Sequence, residues 1–301
     1  MTAQLWPAVA GLPQAARPLV MAVVNVTPDS FSDGGRWLDP QAAVQHGLSL
    51  VAEGADLVDV GGESTRPGAQ RTPSHEERRR VLPVIEGLVA AGVIVSVDTM
   101  RAEVAAAAVD AGASLINDVS GGLADPDMLS TAAATGAAYV ATHWRGHAVD
   151  MQGRAHYGDV CQEVVAELGR RVDHILAAGI AKDRLILDPG VGYAKTAEQN
   201  WAVLAGIDAV VGLGFPVLVG VSRKGFLGSL LGNAEEPRPA LQRDDASTAI
   251  TALLTARGVW AFRTHTARQH RDAVAAALCA SPPAVAPAAG QGGRGWAIET
   301  S

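Results

Sequence analysis

Polar side chains stand directly after short apolar runs at many places along this chain. A carboxylate in such a position usually caps the helix that follows, because it accepts hydrogen bonds from free backbone N–H groups. Lysine and arginine at a helix start do not fit capping, since the helix dipole disfavours positive charge there. Carboxylates, amides and cations that share one pocket can instead bind a small molecule and hold an anion. The residues concerned are Asn25, Glu63, Asp98, Asn117, His143, Asp188, Ser222, Lys224, Arg263 and His265.

The elements that must position these side chains alternate between apolar runs and alanine-rich helical stretches. The pattern predicts strands at 19–25, 57–61, 93–98, 114–117, 138–143, 184–188, 216–222 and 259–263. It predicts helices at 40–52, 75–90, 102–111, 126–134, 160–178, 198–211, a paired segment 226–256, and 267–280. Eight such units predict an α/β fold, the (β/α)8 TIM barrel, with its site at the C-terminal face of the strands.

Composition supports one large domain in a chain of 301 residues, of which 48% are hydrophobic. We expect an N-terminal extension over 1–18, a single barrel domain over 19–280, and a disordered tail over 281–301, where alanine, proline and glycine occur without periodicity. The net charge of -7 argues against a nucleic-acid-binding surface. We therefore expect no nucleic-acid partner.

Cysteine usage and apolar segments indicate the compartment. The two cysteines, Cys161 and Cys279, are far apart and lack metal-ligand spacing, so neither a disulfide framework nor a zinc site is predicted. Pro7 and Pro13 interrupt the N-terminal segment, which does not read as a signal peptide. The apolar runs are strand-length, far short of the ~20 residues that cross a bilayer. A cytoplasmic protein without a membrane partner is expected.

Seven motifs in fixed order carry a specific resemblance. They are the stretches 25–35 (Asn-Val-Thr-Pro-Asp-Ser-Phe-Ser-Asp-Gly-Gly), 61–68 (Gly-Gly-Glu-Ser-Thr-Arg-Pro-Gly), 96–99, 116–118, 188–190, 222–224 and 263–265. Between about Leu19 and Leu278 the chain resembles the dihydropteroate synthase family of pterin-binding TIM barrels. The resemblance implies condensation of 6-hydroxymethyl-7,8-dihydropterin diphosphate with 4-aminobenzoate, with Mg2+ on the diphosphate. It also implies inhibition by sulfonamides and a homodimer.

The resemblance assigns roles in binding the pterin and the diphosphate. The pterin is expected to contact Asp98, Asn117, Asp188, Lys224 and Arg263, with Asp188 accepting two parallel bonds from the flat donor edge of the ring. The diphosphate is expected to contact Asn25, Arg263 and His265. Asn25 would also give Mg2+ an uncharged oxygen, which suits a hard ion that keeps most of its water. His143 is expected to pack and hydrogen-bond near the pocket.

The aminobenzoate and the chemistry involve two loops. The 4-aminobenzoate site is expected to include Thr65, Arg66, Pro67, Tyr193 and Gly225, with the segments 29–35 and 65–67 closing over it. The catalytic residues implied are Asp33, Lys224 and Arg263, in a dissociative reaction that expels pyrophosphate before the amine attacks. Asp29 is an alternative to Asp33. Tyr193 stands where many relatives have Phe, and Gly225 where some have Ser.

Three other functions share parts of this pattern. A methyltransferase barrel that handles methyltetrahydrofolate would share Asp98, Asn117 and Asp188, but it has no need for Asn25 or the 222–224 segment. A non-catalytic pterin-binding paralogue would lose the anion-binding residues, which this chain keeps. A Schiff-base aldolase that uses Lys224 is disfavoured by the neighbouring arginines, which suit anions better than carbonyl activation.

Overall fold

A computed structural model of the chain describes residues 6–27, 39–64, 71–147, 151–233 and 235–280. Four predicted site residues, Asp33, Thr65, Arg66 and Pro67, lie outside these residues, as do Asp29 and the segment 281–301. Within the described part of the chain, no helix is both long and apolar enough to cross a membrane.

Eight parallel strands form a nearly closed barrel, which confirms the predicted fold. They are β1 Leu19–Asn25, β2 Leu57–Gly61, β3 Val95–Asp98, β4 Leu115–Asp118, β5 Ala138–Thr142, β6 Leu185–Asp188, β7 Leu218–Val219 and β8 Ala261–Thr264. The hydrogen-bonded order is β6-β5-β4-β3-β2-β1-β8-β7. A single bridge between Leu187 and Val217 joins β6 to β7, and the Leu187 N–H donates to the Pro216 carbonyl at 2.9 Å. This β6–β7 junction completes the circle.

Ten α-helices connect the strands in the described residues. They are α1 Pro40–Ala52, α2 Ser74–Ala90, α3 Ala102–Asp110, α4 Met128–Thr135, α5 Val160–Ala177, α6 Ala197–Ala205, α7 Ile207–Val211, α8 Gly225–Leu231, α9 Asp244–Thr255 and α10 Ala267–Ala280. Local signals explain several starts. The Asp39 carboxylate caps α1 with Pro40 at its first position. Thr196 and Gln199 form a capping box at α6.

Two predicted elements differ from the structure. The predicted helix 198–211 is two helices, α6 and α7, that meet at Gly206, where a Cβ would lie 2.8 Å from the Cys161 sulfur. The predicted strand 216–222 is wrong in length, since β7 has two residues. Pro216 cannot donate a ladder hydrogen bond, and the chain turns soon after β7, where the Lys224 N–H donates to the Val221 carbonyl at 3.2 Å.

The N-terminal end of the barrel is closed by apolar side chains. Trp6, Val9 and Leu12 are buried in one cluster with the first inward-facing residues of the strands, including Leu19 and Leu57. The Ala10 N–H donates to the Asp183 carbonyl at 2.9 Å, which fixes this segment. Burying a large apolar side chain stabilises a fold by about 1.5–3 kcal/mol, so the segment contributes to the core. We call this cluster the barrel base.

Candidate functional site

A cavity of about 730 Å³ opens at the C-terminal ends of the strands. Predicted site residues that line it are Asn25, Asp98, Tyr193, Lys224, Gly225, Arg263 and His265. Asn117 on β4 and Asp188 on β6 are buried and are not part of the lining. The structure therefore gathers the sequence-predicted residues of the described chain around one end of the barrel.

Arg263 connects two buried carboxylates from different strands. Its Nε donates to Asp59 Oδ2 at 2.6 Å, and its Nη2 donates to Asp98 Oδ2 at 2.7 Å. Burial opposes the charge on Arg263, but the two carboxylates raise its pKa above the ordinary value. The guanidinium is therefore held charged and in a fixed orientation before any ligand enters.

Asp59 is the main site residue that our sequence reasoning missed. Its carboxylate is fully buried, and its Oδ2 accepts a second hydrogen bond from Asn117 Nδ2 at 2.9 Å. A signal was available, because Asp59 lies two residues from Leu57 and so shares its inward face of β2. A carboxylate on that face points to the barrel interior, where there is no helix N-terminus for it to cap.

The acids of the site are poorly solvated. Burial raises the pKa of Asp98 to about 7 even though Arg263 opposes the shift. Burial also raises the pKa of Asp188, whose carboxylate accepts the Gly190 N–H at 2.7 Å. Both carboxylates lie near cations. Because burial deprives them of water, a ligand rich in hydrogen-bond donors would replace the hydrogen bonds that water no longer provides.

Lys224 immediately precedes α8 and reaches across the cavity to the loop that follows β6. Its ammonium donates to the Val191 carbonyl and lies 4.8 Å from the centre of the Tyr193 ring. Burial lowers the pKa of Lys224 to about 8, while the charge of Asp188 acts in the opposite direction. The neighbouring Arg223 has a left-handed φ of 60° and pairs with Asp244 at 2.9 Å.

The strand ends at β1 and β8 carry the predicted diphosphate contacts. Asn25 pairs in register with Gly61, where a Cβ would lie 3.5 Å from the Asn25 amide oxygen. A Cβ at position 61 would therefore be in ordinary van der Waals contact with that amide. His265 Nδ1 lies 2.9 Å from the Ser222 hydroxyl, which also accepts the His265 backbone N–H at 3.2 Å. These contacts orient His265 at the rim.

Two further charged residues at the cavity, Glu63 and Lys195, were not assigned roles from sequence, and each is hydrogen-bonded to other protein groups. Glu63 accepts hydrogen bonds from Arg101 at 2.7 Å and from the Thr72 N–H at 3.0 Å. Lys195 lines the cavity yet is only 3% exposed, and its ammonium lies 3.0 Å from His143 Nδ1. His143 therefore hydrogen-bonds near the pocket.

No three His, Cys, Asp or Glu residues among those described come together as a metal site. The Asn25 amide oxygen at the rim fits an ion of the Mg2+ kind, which keeps several waters and binds substrate phosphates.

Comparisons with known proteins agree on the family. The profile described as "Pterin binding enzyme" matches residues 21–265. Dihydropteroate synthase of Mycobacterium leprae is 50% identical over 257 residues, which is 85% of this chain and 90% of that protein. The structure of Xanthomonas albilineans dihydropteroate synthase with 4-aminobenzoic acid has a TM-score of 0.81 and 44% identity, over 88% of this chain and 94% of that one. That of the Yersinia pestis enzyme with a sulfonamide drug has a TM-score of 0.85 and 37% identity, over 91% and 98%.

Proposed function

This chain belongs to the dihydropteroate synthase family of pterin-binding enzymes, and we propose from that membership how its site works. The reaction joins 6-hydroxymethyl-7,8-dihydropterin diphosphate to 4-aminobenzoate and yields 7,8-dihydropteroate and pyrophosphate, a step of folate biosynthesis. The observation that carries this proposal is the half-buried Arg263, which bridges Asp59 and Asp98 at the cavity. Such a group suits a ligand with both hydrogen-bond donors and a strong negative charge.

The pterin binds against the acids and the amide of the strand ends. Asp188 accepts the 2-amino group and the adjacent ring N–H, and Asp98 accepts a further donor. The Asn117 amide N–H group is already bonded to Asp59, which leaves the Asn117 oxygen to accept from the ring. Lys224 meets the carbonyl side of the pterin. Each contact uses a side chain that its protein neighbours already orient.

The diphosphate binds towards the rim, where Asn25 and His265 line the cavity. Arg263 uses Nε and Nη2 for its two carboxylates, so its Nη1 is the nitrogen assigned to the anion. Mg2+ would be held by Asn25 together with water and phosphate oxygens. When bound, the ion neutralises charge on the leaving group.

The aminobenzoate binds beyond the pterin methylene, beside Tyr193 and Gly225. Apart from its own chain neighbours and helix backbone, no described residue places an atom within 4 Å of a Cβ built at Gly225, which leaves room for the carboxylate near this residue. Thr65, Arg66 and Pro67 stay predictions for this subsite. The role of Asp33 in steadying positive charge also stays a prediction.

The chemical step breaks the bond between the pterin methylene and the diphosphate oxygen, and the electron pair leaves with pyrophosphate. The aniline nitrogen then forms the new bond to the methylene carbon and loses one proton. An arylamine is unprotonated near pH 7, so the step needs charge stabilisation and alignment more than a strong base. Arg263 and Lys224 supply positive charge, and His265 supplies a hydrogen-bond donor at the rim.

Pyrophosphate release with the pterin diphosphate tests the function. Product formation that requires both 4-aminobenzoate and Mg2+ is expected. A protein that binds the pterin but forms no product would be a non-catalytic paralogue, and methyl transfer from methyltetrahydrofolate would indicate the methyltransferase. Borohydride trapping at Lys224 would indicate the aldolase. Each of these results contradicts the proposal.

Three further properties are proposals that follow from family membership. Sulfonamides should compete with 4-aminobenzoate, as the complex of the Yersinia pestis relative suggests. The protein should form a homodimer, which sedimentation can test. A cytoplasmic location is consistent with the substrates and can be tested by fractionation.

A further inference from the structure

Lys195 lies in the loop between β6 and α6, which spans residues 189–196. Its ammonium donates to the Gly190 carbonyl at 3.0 Å and to the Tyr193 carbonyl at 3.2 Å, and it lies 3.0 Å from His143 Nδ1. With 3% of its surface exposed, the side chain is nearly removed from water. A lysine buried to this degree requires acceptors around it, and the loop supplies two of the three.

The loop is folded around this ammonium with three residues at left-handed φ, of which only Ala194 carries the steric cost of a side chain. Gly190 and Gly192 have φ of +68° and +87°, and Ala194 has φ of +46° in spite of its side chain. A Cβ at Gly190 would lie 2.2 Å from the His143 carbonyl oxygen, so the loop also packs closely on the end of β5. Left-handed residues persist where surrounding contacts hold them, and Lys195 provides such contacts.

His143 is suited to accept from Lys195. Its Nε2 lies 2.8 Å from Glu167 Oε2, so the ring proton is assigned to Nε2 and Nδ1 is left with its lone pair towards the ammonium. Burial lowers the pKa of His143 to about 4, which keeps the ring neutral near pH 7. Glu167 is in turn bonded to Arg145 Nε at 3.1 Å. The acceptor therefore has a fixed tautomer and position.

The loop position determines where Tyr193 stands in the cavity. Tyr193 contributes a carbonyl to Lys195, while its ring lies beside the Lys224 ammonium. We propose that Lys195 is a positioning residue that holds the Tyr193 ring in place and thereby sets the affinity for the arylamine substrate. This inference rests on the proposed function, since it names the residue that shapes the aminobenzoate subsite. Lys195 itself need not touch the arylamine.

The test is Lys195→Met in the full chain, which keeps the unbranched side chain up to the ε position and removes the ammonium with its donors. The KM for 4-aminobenzoate should rise about tenfold or more, while the KM for the pterin diphosphate should change less than about threefold. Lys182→Met is the matched control, because Lys182 is exposed and its ammonium lies 5.4 Å from the centre of the Phe215 ring, away from the cavity. That variant should match the wild type.

A double-mutant cycle with Tyr193→Ala separates positioning from a general loss of structure. If Lys195 acts through Tyr193, Lys195→Met should add little to the KM of Tyr193→Ala. Additive effects, an equal rise in both KM values, or no change in the single variant would overturn the proposal. If Lys195→Met fails to fold, His143→Leu removes one acceptor and should raise the KM for aminobenzoate in the same direction but less.

A crystal structure of Lys195→Met gives an answer that does not depend on turnover. Displacement of the Tyr193 ring from Lys224 by more than about 2 Å supports the inference, and an unchanged ring overturns it. Absence of any product from the wild type would instead reject the proposed function, so the two failures are distinguishable.

Discussion

The two ends of this barrel differ in the side chains that they bury. The C-terminal end, the mouth, buries charged groups, and the N-terminal end, the barrel base, buries apolar ones. At the mouth, the buried Asp59 and Asp98 are both bonded to the half-buried Arg263. At the barrel base, Trp6 and Leu12 pack on other apolar side chains. Burying charge costs free energy of solvation even when ions are paired, whereas burying apolar surface stabilises the fold directly. The barrel base therefore stabilises the fold and offsets the cost of burying the charged groups at the mouth, which are arranged to bind ligands.

The comparison also shows how orientation is achieved at the mouth. Several predicted pterin and diphosphate side chains are bonded to a protein group that fixes them, as Ser222 fixes His265. Fixed dipoles and charges do not have to reorganise during a reaction, which is how enzymes stabilise developing charge. Substitutions at the two ends should therefore separate activity from stability.

Arg263→Met should have the largest effect. It removes the charge assigned to the diphosphate and leaves Asp59 and Asp98 without their cation. We expect kcat/KM to fall by about 10³-fold, near the upper range for loss of one stabilising group in a transition state. Stability should also fall, by about 3–5 kcal/mol, because a buried pair loses one partner. Kinetics and urea unfolding measure the two effects, and activity above a tenth of wild type would contradict the assignment.

Trp6→Ala should affect the base alone. Trp6 is 4% exposed, and truncation of a buried Trp typically costs about 3–5 kcal/mol. Urea unfolding should show this loss, while kcat and both KM values of the folded protein stay at wild-type levels. Leu253→Ala is the control, because Leu253 is 69% exposed and should change stability by less than about 0.5 kcal/mol. A changed KM in Trp6→Ala would show that the two ends are coupled.

The buried carboxylates at the mouth should make the activity depend on pH, whereas the apolar side chains of the barrel base have no group that titrates. Because the pKa of Asp98 is raised to about 7, kcat/KM for the pterin diphosphate should fall as pH decreases through 7 and the carboxylate protonates. The folded protein holds this proton between about pH 4 and 7, where the unfolded chain has released it. The contribution of Asp98 to the unfolding free energy therefore decreases as pH rises across that interval and is constant above it.

Asp59→Asn sharpens this point, because the charge of Asp59 contributes to the raised pKa of Asp98. The acidic limb of the pH profile should move to lower pH in this variant. Activity at pH 8 should fall about tenfold or less, since Arg263 keeps its bond to Asp98. A limb that stays in place would show that another group titrates there.

Tyr193→Phe should have the smallest effect. The ring beside Lys224 is retained, and only the hydroxyl is lost. We expect the KM for 4-aminobenzoate and the inhibition constant of a sulfonamide to change by less than about threefold. A change above tenfold in either constant would show that the hydroxyl contacts the ligand directly.

The sequence predicted the barrel well because polar groups stand at or shortly after the strand ends and several helices have their own boundary signals. It also predicted which strand ends meet, since parallel strands place their C-terminal ends together. Asp59 was missed because it lies in the middle of β2 and not at its end, although its alternation with Leu57 marks the inward face of the strand. Lys195 could not be assigned, because its role depends on a loop that folds around it and on His143, 52 residues away.

The single bridge between Leu187 and Val217 has a consequence for ligand binding. Asp188 ends β6 on one side of this junction, and Lys224 follows β7 on the other. A pterin that contacts both side chains would therefore link the two strands that share only one bridge. Ligand binding should therefore stabilise the β6–β7 junction, as an additional hydrogen bond between the two strands would. Amide hydrogens near β6 and β7 should then exchange more slowly in the complex than those of the already continuous strands, and the melting temperature should rise with pterin concentration.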